Sequence, residues 1–360
     1  MKKSYILAAA LLAVVGCSKN QVNAPAELYP EGTPVPVLFG APTISVVTKA
    51  VNPETNLVEG DSAAGLEVGV YGLETQDRNL VWDSADETTY IADLLNRNVT
   101  IAEDGSITFE NPKCYYPLSS EKTFSFYGYY PYSADAQSGS DACTVSYDLT
   151  QGNVDILWAA AYATDLDASA QPVGAKGYNA AYIRRLVNAN PDHPYLPSFS
   201  FEHKLTALKF VTSPYPGESA AGAEMQVVGF ELRNVATQID LTVASTTTED
   251  CGTVASAGTG DLVATGADGG ALAVTPVEGG ADIRTFTLLP GESYEAVITI
   301  SRDGEPQEPQ TVTVTNTNGG SFEAGKIYTM NIRIKSPVEV EIFTASVVDW
   351  VDGGDINIDL

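Results

Sequence analysis

The chain has 360 residues, of which 44% are hydrophobic and 9% aromatic, and its 19 Lys and Arg face 46 Asp and Glu for a formal net charge of −27. Such a charge excludes binding of nucleic acid through phosphate neutralisation, which requires a basic surface. The apolar and aromatic content excludes a disordered polyanion, and the length suits two domains of ordinary size.

Residues 1–16 have the pattern of an export signal. Two lysines precede a short apolar run that could not span a bilayer as a stable helix. A small Gly16 stands directly before Cys17, as in a bacterial lipobox, where the Cys is lipidated and becomes the first residue of the mature chain. A plain signal peptide with a chance Cys is the alternative. We predict a tethered lipoprotein with Cys17 as the lipidation site.

Residues 17–49 form the predicted leader. Its first part, 18–32, is polar and contains Pro, which is typical of a tether. Its second part, 33–48, predicts a strand with about five inward-facing apolar side chains, broken by Gly40 and Pro42. These side chains are Val35, Val37, Phe39, Ile44 and Val46.

The rest of the chain repeats short alternating runs between turns rich in Gly, Asn, Asp and Pro, which predicts an all-β sandwich architecture. Helices are expected only at 91–98 and 180–188. Residues 184–197 are the least strand-like stretch near the middle, so we expect domains at 50–197 and 198–360. The strand candidates are 65–73, 106–117, 122–133, 144–149, 155–163, 198–213, 225–234, 238–245, 283–290, 294–302, 310–316, 326–335 and 338–350.

The chain offers little for catalysis, so we expect no enzyme, no catalytic residue, no metal site and no cofactor. His193 lies in a Pro-flanked loop, and His203 lies in a strand pattern typical of a structural histidine. Neither a Gly-x-Ser-x-Gly elbow nor a His-Glu-x-x-His motif occurs. Asp355, Asn357 and Asp359 have the first ligand spacings of an EF-hand loop without its Gly and final Glu, and an acidic strand edge is the alternative to calcium binding.

Two further features leave alternatives open. Cys114 and Cys143 could form one disulfide outside the cytoplasm, or both could be buried thiols. The aromatic clusters Tyr115-Tyr116 and 124–132, which include Tyr127 and Tyr129, could form a glycan-stacking platform, although alternating aromatic residues more often form a core.

The last fourteen residues, VVDWVDGGDINIDL, contain a second strand pattern. The Gly-Gly pair predicts a tight turn, after which Ile356, Ile358 and Leu360 alternate with polar residues. One hypothesis is a hairpin in which this last strand folds back on the preceding one. The other is a donor strand, with Val348 and Trp350 at its base, that enters another subunit.

Several short motifs in a fixed order resemble the fimbrillin family of Bacteroidetes, also called Mfa-like or type V pilin subunits. The resemblance extends over the whole chain, and no single motif would be specific alone. The motifs are the lipobox Cys17, Thr48-Lys49-Ala50, KCYYP followed by FSFYGYYPYS, DILWAAAYA, Phe201-Glu202-His203-Lys204-Leu205, IRTFTLLP, FEAGKIYTMNIRIK and Val348-Asp349-Trp350.

This resemblance implies two tandem transthyretin-like β-sandwich domains and a maturation pathway. Precursors of the family travel as lipoproteins to the outer membrane, where a trypsin-like protease removes the leader with its first strand. Here the implied cut lies between Lys49 and Ala50. The emptied groove then receives the C-terminal strand of a neighbouring subunit, which builds a surface fimbria that serves adhesion. The implied partners are other fimbrial subunits, the outer membrane through the lipid and a host or bacterial surface receptor.

Physical chemistry supports such an exchange, because losing about five buried apolar side chains leaves a gross deficit of about 7–15 kcal/mol that another strand can recover. One departure from the family is that Lys49 stands where Arg is usual. It is the only basic residue between Lys19 and Arg78. The alternative role is therefore an outer-membrane lipoprotein acting as a tip or anchor adhesin, or as a glycan-binding module.

Overall fold

The structure is a computed structural model that describes residues 29–350, apart from the gaps that follow. Nothing is described at 41–42, 45–48, 52–57, 60–63, 77–78, 105, 119–120, 167–171, 176, 190–195, 216–224, 267 and 337–338.

The described residues form an almost purely β structure. In its first half the strands are β1 (Thr43–Ile44), β2 (Lys49–Val51), β3 (Val58–Glu59), β4 (Glu67–Gln76), β5 (Asn79–Leu80), β6 (Arg97–Thr100), β7 (Thr123–Tyr130), β8 (Gln137–Ser138), β9 (Ala142–Asp148), β10 (Leu157–Ala161), β11 (Thr164–Leu166) and β12 (Pro172–Ala175), followed by helix α1 (Ala180–Ala189). The second half contains β13 (Ser200–His203), β14 (Thr206–Pro214), β15 (Met225–Ser245), β16 (Val254–Val263), β17 (Ala281–Leu288), β18 (Ser293–Arg302), β19 (Glu305–Pro306), β20 (Gln310–Thr315), β21 (Lys326–Ser336) and β22 (Glu339–Asp349).

Three large sheets organise these strands. The first has the order β1-β13-β10-β7-β4-β5, with β6 also on β4. The second has the order β19-β18-β15-β9-β8, with β16 on β15 and β20 on β18. The third has the order β17-β14-β21-β22, and β2-β3 and β11-β12 form separate pairs. The predicted all-β class is therefore confirmed, while the two tandem transthyretin-like domains remain a prediction.

Each half of the chain contributes a strand to a sheet of the other half, across the predicted boundary at residue 197. β9, from the first half, pairs antiparallel with the C-terminal part of β15. β13, from the second half, pairs antiparallel with β10 of the first sheet. A hydrophobic cluster shared by the halves lies between them and includes Tyr71, Tyr127, Leu205, Leu241 and Trp350. The halves are thus joined by a common core as well as by the connecting chain.

Of the two predicted helices, one is confirmed. α1 places Tyr182, Ile183, Leu186 and Val187 in the core, and Asn179 Oδ1 accepts the Tyr182 N–H at 2.7 Å as an N-cap. The helix predicted at 91–98 is wrong, since this stretch forms turns and then β6.

Left-handed backbone explains the failed helix. Asp93 and Asn96 have φ angles of 65° and 62°, which interrupt any helix. Ile91 and Leu94 nevertheless remain fully buried. These two apolar side chains therefore belong to the core from within turns, and their spacing was misinterpreted as that of a helix.

Candidate functional site

The candidate site is the groove that holds residues 33–40 and 43–44, which we call the leader segment. Val35, Val37 and Phe39 point inward with exposed fractions of 0%, 3% and 8%. The residues between them, Pro36 and Leu38, are partly exposed. The predicted alternation is therefore observed for three of the five apolar residues, and the side chain of Ile44 and all of Val46 lie outside the described residues.

Backbone hydrogen bonds hold the leader segment between two neighbours. On one side the Tyr116 N–H donates to Val35 O at 3.0 Å, and the Val37 N–H donates to Cys114 O at 2.9 Å. On the other side the Gly40 N–H donates to Pro197 O at 2.8 Å. Thr43–Ile44 then pairs in parallel with Ser200–Phe201 of β13. The segment thus lies at the edge of the first sheet.

Aromatic rings form the interior of this groove. The Phe39 ring lies 5.0 Å from that of Phe126, 4.9 Å from that of Phe199 and 5.8 Å from that of Phe109, measured between centroids. The contacts to Phe109 and Phe126 are edge-to-face, a favourable geometry for aromatic pairs. Phe39 is therefore the largest apolar anchor of the described leader segment.

The groove wall at 114–116 is neutral at physiological pH. Burial raises the pKa of the Cys114 thiol to about 11, since the thiolate would lose its hydration. Burial also raises the pKa of Tyr116 well above its usual value. At the far end of the segment, Arg184 of α1 donates from Nη2 to Thr33 O at 2.9 Å. Sequence analysis missed this wall and Arg184, although the alternation of Cys114 and Tyr116 indicated inward-facing positions.

The predicted cleavage position lies in a small hairpin. Lys49 and Ala50 belong to β2, which pairs antiparallel with β3. In the described part of the chain, these two strands form a sheet separate from the three large ones. The predicted scissile bond therefore follows the leader segment outside the main sheets. The predicted lipidation site, Cys17, lies outside the described residues.

At the C-terminal side, β22 belongs to its own chain's third sheet. It pairs antiparallel with β21 along its length, including Ile327 opposite Val348, and β22 is the terminal strand of that sheet. Val348 and Trp350 of the predicted donor strand are thus described within the third sheet and the shared core. Ile356, Ile358 and Leu360 lie outside the described residues, as do the potential calcium ligands of the same stretch.

Trp350 is anchored in the shared core beside the first sheet. Its indole is 1% exposed and stacks on the His203 ring, with centroids 4.6 Å apart and planes at 14°. His203 Nδ1 lies 3.0 Å from Asp155 Oδ1, and both of these side chains are almost completely buried. The predicted structural role of His203 is consistent with this burial. Solvent does not reach the pair, so a dissolved substrate cannot contact it in this conformation.

The glycan-stacking alternative is contradicted for Tyr116, Tyr127 and Tyr129, whereas Tyr115 of the same aromatic clusters is 43% exposed. Tyr127 and Tyr129 are 0% exposed, and Tyr116 is 2% exposed. Alternating positions on both faces of β7 are buried because the first sheet packs on both sides. These rings stabilise the core and offer no surface for stacking against a sugar.

The remaining sequence expectations concern cysteines, metals and membrane helices. Cys114, Cys143 and Cys251 are free thiols, so the Cys114–Cys143 disulfide is not formed in this structure. Among the described residues, no group of His, Cys, Asp and Glu is arranged to hold a metal ion. No helix in the described ranges is long and apolar enough to cross a membrane.

Comparisons with known proteins agree with this architecture. A protein from Bacteroides uniformis that carries a cell-adhesion description superposes with a TM-score of 0.50 at 20% identity, covering 89% of this chain and 99% of that one. A fimbrial protein from Bacteroides vulgatus gives a TM-score of 0.47 at 13% identity, covering 86% and 99%. No curated protein matches the chain. The first similarity shows a shared fold.

The sequence itself provides the assignment. The model of the fimbrillin-like family matches residues 48–350, which is far more than half of the chain. The matched residues include every strand of the three large sheets except β1, and the match begins next to the predicted cleavage position. The chain therefore belongs to the fimbrillin-like family.

Proposed function

We propose that this protein is a structural subunit of a cell-surface fimbria that serves adhesion. It is exported to the outer membrane as a lipoprotein through Cys17, is cleaved between Lys49 and Ala50, and then polymerises by donor-strand exchange. Family membership supports the general role of a fimbrial or adhesin subunit at the cell surface. The observation that carries the finer proposal is the leader segment, since Val35, Val37 and Phe39 complete the core from the side that cleavage would release.

The size of this contribution suits a removable strand. Burying each of the three side chains is worth about 1.5–3 kcal/mol, which gives about 5–9 kcal/mol in total. While the leader is covalently attached, it competes for the groove at an effective concentration in the mM range. A strand from another subunit at μM concentration cannot displace it. Cleavage removes this advantage and makes the groove available.

The proposed donor is the stretch after Trp350. Ile356, Ile358 and Leu360 repeat the i, i+2, i+4 spacing of Val35, Val37 and Phe39. Such a strand adds backbone hydrogen bonds along an open sheet edge and side chains in its alternate pockets. Because Val348 is paired and Trp350 is buried in their own chain, we place the start of the exchanged part beyond them.

Controlled proteolysis tests the proposal. The secreted full chain with Cys17→Ser, which cannot be lipidated, is treated with a lysine-specific protease and examined by N-terminal sequencing, size-exclusion chromatography and electron microscopy. We expect a new terminus at Ala50 and concentration-dependent polymers. Lys49→Gln is the matched control, which keeps its leader and stays monomeric. The effective concentration of an attached strand is in the mM range. A cleaved chain that remains monomeric up to about 1 mM would therefore refute the role of a polymerising subunit in the fimbrial shaft.

Deletion of residues 352–360 tests the donor. The truncated chain should keep its free energy of unfolding, because the anchor at Trp350 remains, but should fail to polymerise after cleavage. If the deletion unfolds the monomer, the last strand is part of its own domain and the hairpin hypothesis is favoured.

A tip or anchor adhesin is the second candidate. The observation that favours it is Lys49 in place of the usual Arg, because an Arg-specific protease would leave the lipidated leader attached. Mass spectrometry of the protein recovered from the cell surface distinguishes the roles. A lipidated N-terminus at Cys17 indicates an anchor, whereas an N-terminus at Ala50 indicates a polymerised subunit.

A further inference from the structure

We propose that a polar depression beside β6 binds a neutral saccharide. The depression has a volume of about 500 Å³, within the range of small-ligand sites. This inference rests on the adhesive role in the proposed function and deepens it, since it names the chemical class of the receptor. It does not require strand exchange.

Three segments that are distant in the sequence meet at this depression. Five of its lining residues lie within 93–98, in the turns before β6 and at its start. The other two are Asn111 and Tyr132, and Tyr132 lies just after the end of β7. β6 and β7 both pair with β4, from opposite sides, which brings 93–98 close to the end of β7.

The side chain of Asn96 is held in place before any ligand arrives. The Tyr129 hydroxyl donates to Asn96 Oδ1 at 2.6 Å, and Asn96 Nδ2 donates to Ser133 O at 2.9 Å. The Tyr129 ring lies over Gly69 of β4, where a methyl group would overlap it. Gly69 is paired with Tyr129 on one side and with Asn98 on the other. The absence of a side chain at Gly69 therefore lets β7 position a residue of the depression, and such preorganisation favours binding.

Several polar groups of the depression are available to a ligand. Arg97 Nη2 donates to Asn111 O, but Arg97 forms no ion pair with another described residue, although the chain contains 46 Asp and Glu. Asp93, Asn98 and Asn111 are exposed, and their side chains form no hydrogen bond within the described ranges. The depression thus offers a carboxylate, two amides and the remaining N–H groups of a guanidinium.

This set of groups matches a sugar ring. Each sugar hydroxyl can donate and accept a hydrogen bond, and a side-chain amide presents a donor and an acceptor next to each other. Tyr132 is the one aromatic residue of the lining, and an aromatic ring can pack against the apolar C–H face of a sugar. Leu95 is the one aliphatic residue of the lining, so a peptide would find no apolar pocket to anchor its side chains.

The charges in and around the depression favour a neutral sugar over an anionic one. Asp93 and Arg97 are the two charged residues of the lining and have opposite signs, so the lining carries no net charge. The whole chain has a formal net charge of −27. The field of such a chain repels an anion such as a uronic acid.

The open shape of the depression predicts weak binding to one subunit and strong binding to many. Because Asp93, Asn98 and Asn111 are exposed, the depression would cover one face of a sugar and leave the other in solvent. We expect a Kd of about 1 mM for a monosaccharide. A fimbria that displays many subunits would raise the overall avidity by about 10²–10⁴.

Saturation-transfer NMR with the uncleaved Cys17→Ser chain tests the proposal. The probes are the methyl glycosides of glucose, galactose, mannose and N-acetylglucosamine, with methyl glucuronide as the anionic comparison, each at about 10 mM, which is above the expected Kd. Asn98→Ala and Arg97→Gln remove hydrogen-bonding groups of the depression. Thr100→Ala is the matched control, because Thr100 is exposed two positions further along β6 and does not line the depression. Urea denaturation of each variant establishes that the fold is retained.

We expect saturation transfer to at least one neutral glycoside, with a Kd that rises about three- to tenfold in Asn98→Ala and in Arg97→Gln and stays unchanged in Thr100→Ala. The absence of transfer to all four neutral glycosides would overturn the proposal, and so would an unchanged Kd in all three variants. Tighter binding of methyl glucuronide than of methyl glucoside would overturn the assignment to a neutral sugar. Because the test uses an uncleaved monomer, none of these results bears on strand exchange, and a failure to polymerise would leave the saccharide site intact.

Discussion

Replacing Phe39 with Ala should release the leader segment from the groove. Phe39 is 8% exposed and its ring contacts three others. Truncating a buried Phe to Ala usually costs about 3–5 kcal/mol, and we expect the lower end because Phe39 lies near a sheet edge. In the uncleaved chain, the free energy of unfolding should therefore fall by about 3 kcal/mol in urea denaturation.

The same substitution has a second effect once the chain is cut at Lys49. A loss of about 3 kcal/mol corresponds to an affinity about 100-fold lower for the released leader. Dissociation of the leader is measured by size-exclusion chromatography with mass spectrometry. Alkylation of Cys114 gives an independent measure, because this thiol is buried beside Val37 while the leader is bound.

Leu38→Ala is the matched control, since Leu38 is the adjacent residue on the partly exposed side of the same segment. It should change the stability by less than about 1 kcal/mol. Equal losses for both variants would show that the alternation of the leader segment does not determine its burial, and the groove would then have no specific pockets for a donor strand.

Three further predictions concern the rest of the fold. Gly69→Ala should lower the free energy of unfolding in urea by at least about 1–3 kcal/mol, because the new methyl group overlaps the Tyr129 ring. Gly40→Ala should lower it much less, because the atom nearest to its new methyl group lies at 3.7 Å. Trp350→Ala should lower the free energy of unfolding of the monomer by about 3–5 kcal/mol. If the loss is local, the thiols of Cys143 and Cys251 should be no more exposed in this variant than in Leu118→Ala, a surface control. An unchanged stability would mean that Trp350 does not anchor β22. Burial raises the pKa of Cys114 to about 11 and those of Tyr129 and Cys143 to about 12. Because these groups ionise at lower pH in the unfolded chain than in the folded one, the free energy of unfolding should be constant up to about pH 9 and fall from there to about pH 12. Urea midpoints that rise over this range would contradict the burial.

Local sequence patterns predicted the strands well where one face of the strand is buried and the other is exposed. The alternation of Val35, Val37 and Phe39 gave the correct inward side, and 180–188 gave the helix. Two predicted strands, 225–234 and 238–245, are in fact one strand of 21 residues. Asn234 has a φ of 49° and lies at an irregularity within β15 that leaves the strand continuous.

Long-range pairing could not be predicted from local patterns. A strand pattern shows which side chains face inward, but it does not identify the neighbouring strand. β9 therefore pairs with β15 across the predicted domain boundary without any signal in the sequence. The same limit applies to Trp350 and His203, which are 147 positions apart and meet only because β13 and β22 end at the same core. Each aromatic residue alone indicates burial, and only the structure supplies the contact.

The proposed strand exchange is compatible with the positions of β1 and β22 at the edges of their sheets. Each is the terminal strand in the order of its sheet. Removal of the leader segment would break its hydrogen bonds to Cys114 and Tyr116 as well as the pairing of β1 with β13. Loss of β1 leaves the pairing of β13, β10, β7 and β4 intact, and loss of a tail beyond Trp350 leaves β22 on β21. An interior strand such as β7 could not be exchanged in this way, because its removal would separate β4 from β10. If subunits assemble as proposed, exchange at the edges would limit the cost of assembly to the apolar side chains of one strand and would preserve the fold of each subunit.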